Sequence, residues 1–109
     1  MDIIYRGHLC VEDYNRLRAS AGWRALHPEQ ATAGLAGSAL VVAACDGELA
    51  VGTARLVWDG GAAALIKDVI VLPDYQGKGI GKEPFYEKLG FAARLRENRG
   101  AGMDMWLTD

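Results

Sequence analysis

From Leu40 to Gly81 the chain runs three β-prone stretches in succession, separates them with two glycine turns, and ends them in a glycine-rich loop. Leu40 to Cys45 is an unbroken apolar run, and the Asp46-Gly47 that follows is a strong hairpin signal. Leu49 to Trp58 is the returning strand, and Gly52 inside it marks a bulge or a close approach of another backbone. Asp59-Gly60-Gly61 makes the second turn. Ala63 to Leu72 is dense in β-branched residues and reads as the third strand, which Pro73 ends. Three strands joined by such short turns pair as antiparallel neighbours, so the centre of the fold is a meander.

The segments on either side decide what covers that sheet. Ile3, Ile4 and Tyr5 form a short opening strand. Val11 to Ala21 reads as a helix with Val11, Tyr14, Leu17 and Ala21 on one face, closed by Gly22. Glu12 and Asp13 lie in its first turn, where the helix dipole favours negative charge. A weaker helix starts at Pro28, a residue favoured at the first helical position, and fades over Gly34 to Gly37. Beyond the glycine-rich loop come a short helix from Glu83 to Leu89, a stop at Gly90, and a hairpin of Phe91–Leu95 with Met103–Leu107. The order β-α-α-β-β-β-α-β-β specifies an α+β fold: a mixed, mainly antiparallel sheet flanked by helices.

Half of the 109 residues are apolar, enough for one hydrophobic core, so residues 1–109 read as a single domain. The 12 basic and 14 acidic residues give a net charge of −2, which argues against a protein whose main task is gripping nucleic acid. No apolar run is long enough to span a bilayer and no signal-peptide core is present, so the expected location is the cytoplasm. Cys10 and Cys45 lie far apart without metal-ligand spacing, and two histidines add none, so no metal site is expected. Neither cysteine has a polarising neighbour in sequence, which favours small-hydrophobe behaviour over nucleophilic chemistry.

The chemistry concentrates in Gln76-Gly77-Lys78-Gly79-Ile80-Gly81, between a strand and a helix. Glycines at alternate positions let the backbone turn tightly and bring its N–H groups close to a ligand, and the dipole at a helix start favours an anion. The other reading of such a loop is a mobile glycine turn. The wider stretch VIVLPDYQGKGIG, Val69 to Gly81, resembles the acetyl-CoA motif of the GNAT family of N-acyltransferases. The Ala50-Val51-Gly52 of the second strand and the FYEKLGF of Phe85 to Phe91 are similar to that family in type and order. YNRLRASAGW, Tyr14 to Trp23, resembles the first-helix region of one bacterial branch.

The resemblance implies a transfer of acetyl from acetyl-CoA to a primary amine. It implies that backbone groups of Val69, Ile70 and Val71 bind the pantetheine arm. Those of Gly77, Lys78, Gly79, Ile80 and Gly81 would hold the pyrophosphate, with Gln76 bracing the loop. It also implies that Tyr86 is a general acid toward the departing thiolate, to which a phenol of pKa near 10 can give a proton. Asp68 is the nearby carboxylate to weigh as a general base, against a strand-end or surface aspartate. His27 is weighed as an acceptor-pocket residue against a helix N-cap or a solvated loop residue.

The chain departs from the family where Lys82 is followed at once by Glu83-Pro84-Phe85-Tyr86. A helix, a strand and their loops are expected there, a gap of roughly 30–50 residues with a junction at 82/83. The lost strand leaves an unpaired edge beside the third meander strand. Two expectations follow: the fused helix becomes a crossover that lets the Phe91 strand fill the vacancy, or a second copy fills it in a homodimer. The shortening also sets Tyr86 only about 7–8 Å along a helix from the loop, a spacing that suits core packing instead of catalysis. A non-catalytic remnant that binds acetyl-CoA or CoA, or a strand-sharing structural dimer, is therefore the alternative function.

Overall fold

A computed structural model describes residues 2–59, 61–80, 84–85, 87–89 and 104–107. Strand β1 (Ile3–Arg6) leads to helices α1 (Val11–Ser20) and α2 (Pro28–Gly37). The meander follows as β2 (Leu40–Asp46), β3 (Leu49–Trp58) and β4 (Ala63–Val71), then a 3₁₀ turn at Pro73–Tyr75. Residues 84, 85 and 87–89 are helical, and β5 spans Asp104–Leu107. The sheet order is β1-β2-β3-β4-β5, antiparallel through β4, with β5 parallel to β4. Among the described residues no helix is long and apolar enough to cross a membrane.

The helices form where their sequence signals lie. In α1, Tyr14 and Leu17 are one turn apart and both buried, while Glu12 and Asp13 open the helix and Arg18 lies in its last turn. The N–H groups of Gly22 and Trp23 bond back to the carbonyls of Ala19 and Arg18 and satisfy its end. Helix α2 starts at an N-cap on His27, whose Nδ1 accepts from the Glu29 N–H at 3.3 Å, with Pro28 next in line. The capping reading of His27 is the one its contacts fit. Asn15 ties the intervening loop down: its side chain donates to the Leu26 carbonyl and accepts from the Leu26 N–H, at 2.9 and 2.8 Å.

Two cores lie on opposite faces of the sheet. On one, Val42, Ala44, Val51, Leu56, Ala64 and Ile66 pack with Ile80, Phe85 and Leu89, so the glycine-rich loop and the helical segment after it close that face. Tyr5 meets Phe85 edge-on, with ring centroids 5.9 Å apart. On the other, Ala43, Cys45, Ala50 and Ile70 pack with Leu17 of α1. Each large aliphatic or aromatic side chain removed from water contributes about 1.5–3 kcal/mol, and the sheet is covered only because both groups are present.

Strand β4 contributes to both faces by means of a bulge. Arg55 pairs with Lys67 while Thr53 pairs with Ile70, so two residues of β3 span three of β4. The extra residue reverses the alternation: Ile66 faces Phe85, yet Ile70 faces α1. Asp68 sits in this bulge with φ of 56°, the one non-glycine residue at positive φ among those described. A second register shift falls between Ala44 and Cys45, opposite Ala50 to Gly52.

The C-terminal arrangement differs from expectation in one respect. The strand beside β4 is β5, 104–107, paired in parallel with 63–66, whereas the sequence suggested the Phe91–Leu95 strand there. Phe91–Leu95 lies outside the described residues. A parallel neighbour requires a crossover, and the helical residues 84, 85 and 87–89 lie on the connection from β4 to β5. The chain thus covers part of that edge itself, along residues 63–66.

Gly52 lies where this packing is tightest. A Cβ there would sit 3.0 Å from the Ile70 carbonyl oxygen and 3.3 Å from the Phe85 ring. Gly52→Ala should destabilise the fold by about 1–3 kcal/mol, because the obstructing atom is backbone. Urea unfolding measures this, and an unchanged midpoint would mean that β3 and β4 can separate without cost.

Candidate functional site: a glycine loop at an open strand edge

The end of β4 and the loop after it form one continuous surface. Gln76 Nε2 donates to the Val71 carbonyl at 2.9 Å, which folds the loop back on its own strand. Tyr75 donates its hydroxyl to Asp46 Oδ2 at 2.7 Å, and Ile80 is buried in the core at 2% exposure. Between these anchors Gly77, Lys78 and Gly79 are exposed. Gly77 and Gly79 have φ of 78° and 77°, a region that residues with a Cβ rarely adopt, and a Cβ at either would meet open space. Among the described residues no acceptor pairs with the N–H groups of Gly77, Lys78, Gly79 or Ile80. Successive free N–H groups on a turning backbone make a concavity suited to an anion.

The strand leading into this loop is open on one side. The Ile70 carbonyl approaches β3 at Gly52, and the Leu72 N–H donates to the Val51 carbonyl at 2.8 Å. Alternate residues turn their backbone groups to opposite sides, so Val69 and Val71 present theirs away from β3. The Val71 carbonyl confirms this by meeting Gln76 there. Strand β5 pairs only with 63–66, so among the described residues no strand lies beside 67–71 on that side. Of the three residues nominated for an arm, Val69 and Val71 face the open edge and Ile70 faces β3.

Asp68 is neither a strand-end nor a surface aspartate. It is buried at 4% exposure, and its Oδ2 accepts from the Tyr14 hydroxyl and, at 2.7 Å, from Arg55 Nε. Arg18 lies 4.0 Å from Oδ1. Arg55 extends the network through Nη1 to Ser38 Oγ at 3.1 Å and to the Gly34 carbonyl at 3.3 Å. Burial pushes the Asp68 carboxyl up, but the Tyr14 and Arg55 hydrogen bonds and the charges of Arg55 and Arg18 outweigh it and hold it below the ordinary aspartate value. Burial and the Asp68 hydrogen bond raise the Tyr14 hydroxyl. A carboxylate so satisfied is a weak proton acceptor, which removes the physical basis for Asp68 as the general base.

Arg55, Tyr14 and Arg18 were not singled out from the sequence. One signal was present: an arginine within the apolar strand LAVGTARLVW must leave the sheet or find an anion, since arginine is almost never buried unpaired. Tyr86 and Gly81, nominated as general acid and phosphate-loop residue, lie outside the described residues. Cys10 is exposed and Cys45 buried.

The Asp68 pairing makes stability depend on pH with a definite sign. Unfolded aspartate titrates near about 3.9, and the folded carboxyl titrates lower. The contribution is therefore whole above that value and is lost as pH falls toward the folded pKa. At neutral pH Asp68→Asn should cost about 2–4 kcal/mol, since one partner of a buried pair loses its charge. In urea unfolding the gap between wild type and variant should narrow below about pH 4; a gap independent of pH would rule out the charge as its source.

The comparisons with known proteins agree with this geometry. No functionally curated protein matches the chain. A family model described as an acetyltransferase (GNAT) domain matches residues 36–83, from the end of α2 through the glycine-rich loop. Among solved structures, a probable acetyltransferase of unknown function from meticillin-resistant Staphylococcus aureus is 26% identical. It superposes with a TM-score of 0.82 over 99% of this chain and 80% of that one. A GNAT family acetyltransferase from Streptococcus pneumoniae is 29% identical, with a TM-score of 0.68 over 99% of this chain and 74% of that one. A GNAT family acetyltransferase from Staphylococcus aureus Mu50 is 13% identical yet reaches a TM-score of 0.76 over 99% and 74%, so the fold persists where the sequence has diverged. Residues 36–83 thus match a GNAT acetyltransferase domain, and the fold of the chain is that of GNAT acetyltransferases.

Proposed function

We propose that this chain binds acetyl-CoA along the β4 edge and the glycine-rich loop and transfers its acetyl group to a primary amine. The observation that carries the reading is the run of N–H groups from Gly77 to Ile80 that find no acceptor among the described residues, shaped by two left-handed glycines at the end of a strand edge with no partner strand among those residues. The family uses acetyl-CoA as co-substrate, and its pyrophosphate is an anion of the kind such a concavity accepts. The pantetheine arm carries amide groups that can pair with Val69 and Val71 as an added strand would.

Bound acetyl-CoA supplies a thioester open to attack by a neutral amine nitrogen. The chain's own residues then hold and orient. Gln76 fixes the loop against Val71, Ile80 anchors it in the core, and Val69 and Val71 would hold the arm along β4. Asp68, being paired, stays out of proton transfer. The junction at 82/83 is read as the loss of a helix and a strand from the family's usual course.

A second reading, an acetyl-CoA-binding domain without turnover, is favoured by one observation: the carboxylate nominated as base is consumed in an ion pair. An assay of CoA release with an amine present separates the two, since binding without release supports the second.

Acetyl-CoA at millimolar concentration should raise the thermal midpoint, because a ligand that binds only the folded state stabilises it by mass action. Gly79→Val should abolish that rise, since a β-branched residue is a poor fit to the left-handed conformation the loop needs. A cooperative wild-type melt unmoved by acetyl-CoA would overturn the proposal.

A further inference from the structure

The bulge in β4 is held by a buried side chain whose partners come from other elements. Asp68 occupies a left-handed backbone conformation at φ 56°, and its carboxylate is fixed by Tyr14 of α1 and Arg55 of β3. Arg18 of α1 stands 4.0 Å away, and Arg55 reaches on to Ser38 and Gly34 at the end of α2. The side chains of Asp68, Arg55 and Arg18 are 6%, 17% and 16% exposed, so water does little to loosen the set.

This clamp acts on the backbone that matters to the open edge. The bulge adds one residue between Lys67 and Ile70, and it is this residue that decides which way Val69 and Val71 face. With the bulge in place, Ile70 turns its backbone to β3 and its side chain into the α1 core, while Val69 and Val71 pack their side chains against the Phe85 core and turn their backbone groups to the open edge. Without it the alternation would shift by one, and Ile70 would face the edge. The ion pair of Asp68 with Arg55 of β3 and its hydrogen bond from Tyr14 of α1 hold the extra residue at one position along the strand.

We propose that Asp68 is a positioning residue for the pantetheine arm: its pairing with Arg55 and Tyr14 fixes the β4 bulge that aims Val69 and Val71 at the arm. The inference rests on the acetyl-CoA reading above and adds to it a residue that touches neither co-substrate nor acceptor. It also links the helices to the arm's strand, since α1 and α2 hold the other ends of the clamp.

The test separates the arm from the nucleotide. Asp68→Asn keeps the side-chain size and the tolerance of the left-handed conformation while removing the charge. Calorimetric titration compares acetyl-CoA with adenosine 3′,5′-bisphosphate, a nucleotide without the arm. The variant should bind acetyl-CoA at least about tenfold more weakly, a change of roughly 1.4 kcal/mol, and bind the nucleotide within about twofold of wild type. Tyr14→Phe removes one hydrogen bond only and should show the same split in smaller measure, about twofold to fivefold on acetyl-CoA, which keeps the test decisive if Asp68→Asn does not fold. Equal losses on both ligands, or no loss on acetyl-CoA in a folded variant, would overturn the positioning role alone. Wild-type protein that binds neither ligand would overturn the acetyl-CoA reading and this inference with it.

Discussion

The ion pair between Asp68 and Arg55, buried between the sheet and its first two helices, is the interaction on which the arrangement of the site depends. A buried carboxylate is tolerated only when its oxygens are satisfied, and here a tyrosine and a guanidinium do so from separate elements. The same contact stabilises a left-handed residue in the middle of β4. From that one position follow the reversal of the strand's faces, the packing of Ile70 against α1, and the outward turn of the Val69 and Val71 backbone groups. The direction of the open edge is thus set by a charge that sits beneath it.

The loop itself depends on different physics. Gln76 and Tyr75 fasten its first half to β4 and to Asp46, Ile80 buries its far end, and two glycines give the backbone between them a curvature other residues resist. Gly77, Lys78 and Gly79 are exposed, and their N–H groups find no acceptor among the described residues, which is where an anion gains most. Cofactor arm and cofactor phosphates would then be held by backbone groups, with side chains acting as the scaffold. Such a site is insensitive to most side-chain changes at its surface and sensitive to changes in backbone geometry beneath it.

Much of this was legible in the sequence because it is written locally. Strand period, Asp46-Gly47 and Pro73 delimit the meander, and β3 runs from Leu49 to Trp58 as its pattern requires. Gly52 was readable as a close approach, and Pro28 as a helix start with His27 before it. The role of Asp68 was not, because its partners Tyr14 and Arg55 are 54 and 13 residues away and a bulge leaves no periodic trace. The partner of the β4 edge was also missed: a four-residue strand after a long connection carries too little pattern to announce its neighbour. The glycine motif was visible, but the free N–H groups that give it meaning are a property of the folded loop.

Backbone amide chemical shifts, followed by NMR as acetyl-CoA is titrated, test the central claim most directly, because they report on the atoms said to do the binding. The account predicts saturable changes concentrated at Gly77, Lys78, Gly79 and Ile80 and at Val69 and Val71, with Ile70, which faces β3, little affected. The cleft lined by Arg6, His8, Cys10 and Cys45 on the α1 side should stay silent. Saturable changes centred on that cleft, or none at the loop, would contradict it.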